Sequence, residues 1–281
     1  MGVKIERVLN NKTVVSVDKD GKEIIVMGLG IAFQKKPGSY IQKSKIEKIF
    51  SLDNKATNNR FMELVSNIPA EYVMLAENAI NISEKRYNKK LNDNIYISLT
   101  DHIYSAIQRY KNGIQLKNAL LWDIKRIYRE EYEIGLEVVQ IIKEKFDIQL
   151  LEDEAAFIAL HIVNAEFDVE LENVNLVTTL IQDILKVVRY NFSMEFDENS
   201  LNYNRFLTHL KFFAQRLVLD KTHKDDNEKN ELYDIVKKNY GLSFECVKKI
   251  EKLLEEEYKY KLTKDEKLYL MIHISKIIEG K

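Results

Sequence analysis

The sequence predicts a multidomain, mainly α protein, with a small antiparallel β-sheet followed by two duplicated all-α helical bundles. Three observations predict this fold class. Residues 1–50 contain short runs of β-branched residues separated by turn signals. Residues 70–281 contain no proline, and their apolar residues recur at i, i+3 and i+4, as in amphipathic helices. A histidine-centred pattern occurs twice in the helical part, which indicates a tandem duplication.

The N-terminal sheet is predicted from four runs of strand composition: Lys4–Val8, Val14–Val17, Glu23–Met27 and Ile31–Gln34. Turn sequences separate or end these runs: Asp20-Gly21 as a two-residue hairpin turn, Gly28-Leu29-Gly30 and Pro37-Gly38. A sheet of about 50 residues buries little apolar surface. We therefore expect this part of the chain to dimerise.

Polar segments divide the rest of the chain. Residues 53–60 (DNKATNNR) are uncharacteristic of a core and are interpreted as a linker. A second break is expected near Phe167–Asn175, between the two helical copies. Thr222–Lys229 is predicted to be a charged loop within the second copy, and it contains His223, which is interpreted as a solvated surface residue.

The duplication extends along each helical copy. Tyr132–Val138 and Tyr240–Cys246 are interpreted as equivalent segments that precede an amphipathic helix. In the second copy, Thr263 and Glu266 have the spacing of a capping box, which predicts a helix start. The first copy has Leu151 in place of the threonine, so only the glutamate of that motif remains.

Composition limits the class of protein. A chain of 281 residues that is 45% hydrophobic and 31% charged has the composition of folded soluble domains. One cysteine, Cys246, excludes an internal disulfide and fits a reducing compartment. No long apolar window and no apolar signal core occur, so we expect a cytoplasmic protein without membrane insertion. Residues 1–55 hold 11 Lys/Arg and 6 Asp/Glu, against 32 and 38 in the remainder, which suggests a basic head that binds a polyanion.

Four of the five histidines form two spaced pairs at matching positions of the two copies: His102 with His161, and His209 with His273. The offsets between the copies are 107 and 112 residues. An arginine follows the first histidine of each pair by seven residues, Arg109 and Arg216, and an Asp-Glu pair precedes the second histidine. A side chain that titrates near neutrality and recurs in both copies suggests a charge switch.

Three interpretations of the histidines remain open from their spacing. All four lie at the edge of an apolar stripe, so they can be satisfied core residues. They can also be metal ligands, although neither copy has the His spacing of a helical zinc site. Third, a neutral imidazole is a competent nucleophile for a phosphoryl group, and the product carries roughly −1.5 to −2 charges. Arg109 and Arg216 lie two turns along the same helix face and can meet such a charge.

The N-terminal module combines positive charge with an aromatic residue and flexible backbone. Its relevant residues are Arg7, Lys12, Gly28, Gly30, Phe33, Lys35 and Lys36. Such mixtures bind RNA grooves and unpaired loops. The alternative interpretation is an ordinary solvated β-module.

Several segments together carry a resemblance to a known family: Asn10-Asn11, VMGLGIAFQKK at 26–36, LTDHI at 99–103, EDEAAFIALHIVNAE at 152–166 and THLKFFAQRL at 208–217. They closely resemble the BglG/SacY family of bacterial transcriptional antiterminators, nearest to members that control β-glucoside operons. The resemblance runs essentially from end to end.

The resemblance implies four segments: a co-antiterminator RNA-binding domain at 1–55, a linker at 56–66, and two regulation domains of the sugar phosphotransferase system (PTS) at 67–171 and 172–281. It implies a non-enzymatic, homodimeric activator without cofactor or metal, which binds an RNA hairpin that overlaps a terminator. The family's RNA-contacting positions fall on Arg7, Asn10, Asn11, Gly28, Gly30, Phe33 and Gln34. Close members usually have arginine where this chain has Leu29, and many have a third asparagine where it has Lys12, which affects RNA affinity and hairpin preference.

By the same resemblance, His102 and His161 are expected to accept phosphoryl groups through which the sugar-specific permease, by its IIB domain, represses the protein. His209 and His273 are expected to be phosphorylated by the phosphocarrier HPr, which activates the protein by tightening its dimer. Two rival functions are a PTS-regulated DNA-binding activator, which the N-terminal strand pattern disfavours, and a helical-bundle metalloprotein.

Overall fold

The computed structural model describes residues 3–51, 55–168, 171–219 and 231–279. The chain forms two compact units, Met1–Val169 and Glu170–Lys281. The predicted fold class is confirmed, since a small antiparallel sheet precedes helical bundles. No helix among the described residues is long and apolar enough to cross a membrane.

Six strands are described in the N-terminal part: β1 Val3–Lys4, β2 Arg7–Asn10, β3 Thr13–Val17, β4 Glu23–Met27, β5 Tyr40–Ile41 and β6 Lys48–Phe50. β2, β3, β4 and β6 form a four-stranded antiparallel sheet in that order, and β1 pairs with β5. The register places Val15 opposite Ile25, and Ile25 opposite Phe50. One face of the sheet therefore presents these apolar side chains together.

The hairpin predicted at Asp20-Gly21 is present but has a longer loop, because Val17 pairs with Glu23. Asp18 closes the loop by accepting hydrogen bonds from the backbone N–H groups of residues 20 and 22, both at 2.9 Å. The strand predicted at Ile31–Gln34 is wrong. The backbone N–H groups of Ile31 and Phe33 bond carbonyls three residues earlier, and Gln34 has φ 55°, so the segment forms consecutive turns.

Eleven helices are described: α1 Lys55–Asn67, α2 Ala70–Tyr87, α3 Asn94–Lys111, α4 Leu121–Ile127, α5 Arg129–Phe146, α6 Asp153–Phe167, α7 Leu171–Phe192, α8 Leu201–Val218, α9 Glu231–Asn239, α10 Gly241–Tyr258 and α11 Lys264–Glu279. In the first unit α2, α3, α5 and α6 pack on one another, and in the second unit α7, α8, α10 and α11 do so. The predicted helical character of residues 70–281 is confirmed for the described residues.

Local geometry supports the duplication with a different alignment from the predicted one. Tyr128 and Tyr240 cap α5 and α10 with φ/ψ of −120°/53° and −118°/51°. These two tyrosines are 112 residues apart, the same offset as His161 and His273. Tyr132 lies inside α5, so its predicted equivalence with Tyr240 is wrong.

The segment interpreted as a polar linker overlaps α1, in which Thr57 and Asn58 are buried. Phe61 and Val65 of the same helix join Phe50 of the sheet in one apolar cluster. The polar composition was misleading because only one face of α1 is apolar, and that face lies against the sheet. The sheet and the first helical bundle thus share a core within the first unit.

Two predicted features fall wholly or partly outside the described residues. The charged loop Thr222–Lys229, with His223, lies outside them, as does part of the break at Phe167–Asn175. The helix start at Thr263 is confirmed, because its hydroxyl accepts the backbone N–H of Glu266 at 3.2 Å. The Glu266 carboxylate in turn accepts the backbone N–H of Thr263 at 3.0 Å.

Candidate functional site

The first histidine pair is assembled by two packed helices. His102 lies on α3 and His161 on α6, and their ring centroids are 4.8 Å apart. Phe157, one turn before His161, covers the His102 ring at 5.8 Å between centroids. Two residues that are 59 positions apart in sequence thereby form one imidazole pair.

A buried carboxylate completes this first site. Glu154 lies in the first turn of α6, and its Oε2 is 2.9 Å from Nε2 of His102. Its Oε1 accepts a hydrogen bond from Arg109 at 3.2 Å. The Glu154 side chain is 5% exposed, against 14% for His102 and 26% for Arg109. Burial alone would raise the pKa of Glu154, but the hydrogen bonds and charges of His102 and Arg109 outweigh it and lower the pKa.

His161 is the most enclosed of the four histidines. Only 8% of the residue is exposed, which is more burial than its predicted position at the edge of an apolar stripe implied. Burial, with the nearby His102, lowers the pKa of His161 to about 3. Its Nδ1 has no hydrogen-bond partner among the described residues. The imidazole is therefore neutral at physiological pH and retains a lone pair.

The second histidine pair repeats the arrangement in the second unit. His209 on α8 and His273 on α11 have ring centroids 4.5 Å apart. Tyr269 packs against both rings, at 5.0 Å from His209 and 4.5 Å from His273. Burial lowers the pKa of His273, and the charges of His209 and Arg205 lower it further. Both imidazoles are half-buried.

The carboxylate of the second repeat is directed elsewhere. Glu266 takes part in the capping box with Thr263, and it also accepts the hydroxyl of Tyr260 at 2.9 Å. Arg216 is exposed, whereas Arg109 of the first repeat binds a buried carboxylate. The two arginines therefore differ: Arg109 shares the Glu154 carboxylate with His102, and Arg216 is exposed.

The sequence motifs indicated the Asp-Glu pairs but not what Glu154 contacts. One feature of the sequence could have predicted this contact: Leu151 stands where the second copy has the capping threonine. Without a capping box, the glutamate side chain can turn toward a neighbouring helix. Among the described residues, no group of three or more His, Cys, Asp or Glu side chains is arranged to hold a metal ion. Each site instead offers two adjacent imidazoles that can accept an electrophile.

Six of the seven residues expected to contact RNA, all except Arg7, meet at one end of the N-terminal sheet. The backbone N–H of Gly28 bonds the carbonyl of Lys12 at 3.0 Å, and that of Ala32 bonds the carbonyl of Asn11 at 3.2 Å. These bonds join residues 10–12 to residues 28–34, which we call the turn surface. Its exposed side chains are Asn11, Leu29, Phe33 and Gln34.

The two glycines of the turn surface have different roles. A Cβ on Gly28 would overlap the backbone carbonyl of Lys45, so this position accepts only glycine without rearrangement. Gly30 has φ +62° and nothing close to its missing Cβ. Gly28 therefore fixes the turn from inside, and Gly30 provides a left-handed residue at its outer end.

Three residues at the edge of the turn surface contact the first helices. Asn10 donates to the backbone carbonyl of Val65 on α1 at 2.6 Å. Lys12 pairs with Glu71 of α2 at 3.0 Å. Arg7, on β2, lies with its guanidinium 3.0 Å from the sulfur of Met62. Arg7 and Asn10 are therefore occupied within the chain, whereas Asn11, Phe33 and Gln34 face solvent.

Comparisons with known proteins give matches for the N-terminal sheet region and for both helical repeats. Residues 3–59 match the family described as CAT RNA binding domain, and residues 77–165 and 182–277 match the PRD domain family. The chain is 49% identical over 277 residues to the transcription antiterminator LicT of Bacillus subtilis (strain 168), covering 99% of both chains. It is 40% identical to a beta-glucoside operon antiterminator of Dickeya chrysanthemi, covering 98% of this chain and 96% of the relative. The crystal structure of GlcT CAT-PRDI is 35% identical and covers 59% of this chain and 99% of its own, with a TM-score of 0.51.

Proposed function

Since the chain belongs to the BglG family of transcription antiterminators, as the sequence resemblance implied, we propose that it binds an RNA hairpin in the leader of a sugar-utilisation operon under PTS control. Phosphorylation of His102, His161, His209 and His273 changes the stability of its homodimer and so its activity. The protein acts as a regulator in the cytoplasm and has no catalytic site of its own.

One observation carries the phosphorylation proposal. Each helical repeat brings two imidazoles together, and the ring centroids are 4.8 Å apart in the first repeat and 4.5 Å apart in the second. Corresponding helices carry the two pairs, α3 and α6 in the first repeat and α8 and α11 in the second. In a single bundle such a pair is explained by packing, but its repetition within different apolar surroundings favours a shared chemical role. Neutral imidazoles are nucleophiles, and the low pKa of His161 keeps that residue neutral.

The proposed transfer moves a phosphoryl group from a donor side chain to an imidazole. The bond from phosphorus to the donor atom breaks while a bond forms from phosphorus to the accepting nitrogen. The donor side chain takes up the proton that the acceptor loses. HPr is the proposed donor for His209 and His273, and the IIB domain of a sugar permease is the proposed source for His102 and His161.

A modest energy is enough to operate such a switch. A differential stabilisation of about 1.4 kcal/mol changes the ratio of two dimer states tenfold. One or two charge-assisted hydrogen bonds from an arginine to a phosphoryl group supply that amount. Arg109 and Arg216, near the two pairs, are the proposed donors of those bonds.

The turn surface is the proposed RNA-binding site. Asn11 and Gln34 offer exposed amides, and Phe33, 63% exposed, offers a ring on which an unpaired base can stack. Arg7 and Asn10 complete the proposed site when they are released from α1, and Gly28 and Gly30 shape it.

Two experiments test this proposal. A gel shift that compares a leader hairpin with duplex DNA of the same sequence is expected to show binding to the RNA alone. The double variant His209→Asp, His273→Asp, which adds negative charge, is expected to tighten the dimer and raise read-through of a reporter. Unchanged dimer affinity and read-through in that variant would contradict regulation through the second pair.

A further inference from the structure

We propose that Glu154 gates the first histidine pair, because its carboxylate occupies the position beside Nε2 of His102 that an incoming phosphoryl group requires. The inference rests on the proposed function of these histidines as phosphoryl acceptors. It assigns different reactivity to the two repeats: Glu154 blocks Nε2 of His102, whereas among the described residues His209 meets the ring of Tyr269 at that place.

The contact itself limits the chemistry of His102. An ionised carboxylate only accepts hydrogen bonds, so Nε2 of His102 must carry the proton at 2.9 Å from Glu154. The lone pair of the neutral ring then lies on Nδ1. A phosphoryl group on Nε2 would place its negative oxygens against the carboxylate in a site where Glu154 is 5% exposed. Phosphorylation at Nε2 therefore requires Glu154 to leave.

The second repeat holds its equivalent carboxylate away from the histidines. Glu266 binds the backbone N–H of Thr263 and the hydroxyl of Tyr260, which anchor it at the start of α11. His209 meets the ring of Tyr269 instead. Within the described ranges, no carboxylate contacts His209 in the way that Glu154 contacts His102.

Two sequence differences explain why the repeats diverge. At the 112-residue offset, Leu151 stands in place of Thr263 and Ile148 in place of Tyr260. Ile148 has no hydroxyl group that could bind Glu154. Leu151 keeps its backbone N–H but lacks the hydroxyl with which Thr263 accepts the backbone N–H of Glu266, so the reciprocal capping box cannot form at the start of α6. The Glu154 carboxylate extends across to α3.

Displacement of Glu154 would also release Arg109. The guanidinium bonds Oε1 of Glu154 through one terminal nitrogen, and its buried Nε has no hydrogen-bond partner among the described residues. An arginine with unused donors can transfer from the carboxylate to a phosphoryl group on His102. Because Glu154 lies on α6 and the other two residues on α3, the exchange removes a link between these helices.

The test uses a small phosphoryl donor with the full chain, so that the docking of a donor protein does not affect the measured rates. With phosphoramidate, an imidazole nitrogen bonds to phosphorus, the bond from phosphorus to the amide nitrogen breaks, and ammonia leaves with the proton that the imidazole loses. Mass spectrometry measures the rates at His102 and His209. We expect His102 to react more slowly in the natural chain. Glu154→Gln is expected to raise its rate about tenfold, as for removal of one charge-assisted hydrogen bond, without changing His209.

Matched variants separate this role from general effects of charge or folding. Glu152→Gln removes the same charge two residues away, from a side chain that binds Lys125, and is expected to leave the His102 rate unchanged. Leu151→Thr keeps Glu154 but restores a capping hydroxyl, so it is expected to accelerate His102 as well. The reciprocal change, Tyr260→Ile with Thr263→Leu, is expected to slow His209.

The ring tautomer gives a second readout that requires no phosphorylation. Long-range ¹H–¹⁵N NMR of labelled histidine is expected to show the proton of the neutral His102 ring on Nε2 in the natural chain. In Glu154→Gln we expect a mixture of the two neutral tautomers, one with the proton on Nε2 and the other with it on Nδ1. If Glu154→Gln and Leu151→Thr leave the ratio of the two rates unchanged, the gate is overturned even if HPr labels the protein. If HPr labels no histidine while the phosphoramidate rates follow the expected order, the proposed regulation fails and the gate stands.

Discussion

The side-chain amide of Asn10 donates a hydrogen bond to the backbone carbonyl oxygen of Val65, with 2.6 Å between the two atoms. Asn10 is a residue through which RNA binding is proposed, and Val65 belongs to the helix that follows the sheet. The amide carries two N–H groups, and the one that binds Val65 cannot also bind RNA. RNA that takes this N–H group therefore competes with the packing of α1 on the sheet.

Weakening the neighbouring ion pair is expected to favour RNA. Lys12 and Glu71 are 42% and 31% exposed, so their pair contributes roughly 0.2–1 kcal/mol. Glu71→Gln is expected to tighten binding of a leader hairpin by up to about fivefold, measured by fluorescence anisotropy. Glu63→Gln removes the same charge from an exposed site on α1 and serves as the control. Equal effects of both variants would show that charge alone, and not release of Lys12, is responsible.

The burial of His161 predicts a loss of stability in mild acid. Its pKa is about 3 in the folded chain, below the value of 6.5 for an unperturbed histidine. Below pH 6.5 the unfolded chain binds a proton at this ring and the folded chain does not. The free energy of unfolding therefore falls by about 1.4 kcal/mol for each pH unit between those values, and is unaffected above them.

Urea unfolding at pH 7.5 and 5.5 measures this effect through Trp122, the single tryptophan, which lies in the same unit. The natural chain is expected to lose about 1.4 kcal/mol more than His161→Gln over this interval. Glu154 does not interfere, because its lowered pKa confines its contribution to pH values below 4.5. Equal losses in both chains would contradict a neutral, buried His161.

A glycine sets the position of the helix that carries this site. A Cβ at Gly135 on α5 would overlap the backbone carbonyl of Ala155 on α6, next to Glu154. Gly135→Ala is expected to destabilise the first unit by about 1–3 kcal/mol and to shift the NMR signals of His102 and His161. Gly241→Ala, at the start of α10 with nothing near the added atom, is the control and is expected to cause no loss. An equally stable Gly135→Ala chain would mean that α6 can move freely.

The capping box of the second repeat is expected to contribute measurably to the free energy of unfolding. Thr263→Ala removes the hydroxyl that accepts the backbone N–H of Glu266 at 3.2 Å. We expect the free energy of unfolding of the second unit to fall by about 1 kcal/mol. Urea unfolding monitored by circular dichroism measures this loss. Thr208→Ala is the control, since that hydroxyl bonds a carbonyl one turn earlier at an exposed position of α8. A similar loss in both variants would remove the special role of the cap.

Periodicity and turn residues were sufficient to predict the order of sheet and helices, because each such signal acts over a few residues. They failed where a distant part of the chain decides the local structure. Residues 53–60 were interpreted as a linker because their polar side chains dominate, yet α1, which begins within them, gains its stability from Phe61 and Val65 against the sheet. Ile31–Gln34 has strand composition, but its buried Ile31 is held in a turn by Gly28 and Gly30.

The candidate sites show the same limit. The spacing of His102, His161, His209 and His273 predicted two pairs, and the structure brings each pair together. The sequence did not predict that Glu154 would reach His102, because a glutamate in the first turn of a helix is adequately explained by the helix dipole. Only the comparison of Leu151 with Thr263 distinguishes the two glutamates, and its meaning depends on a contact between helices.

The apolar cluster that unites Phe50 of the sheet with Phe61 and Val65 of α1 has a consequence for how the first unit opens. A strand and a helix that bury one another lose protection together, since neither keeps its apolar face covered alone. Backbone amides of β6 and α1 should thus exchange with deuterium in a single cooperative event, and a change that loosens the bundle would reach the N-terminal sheet without any separate relay.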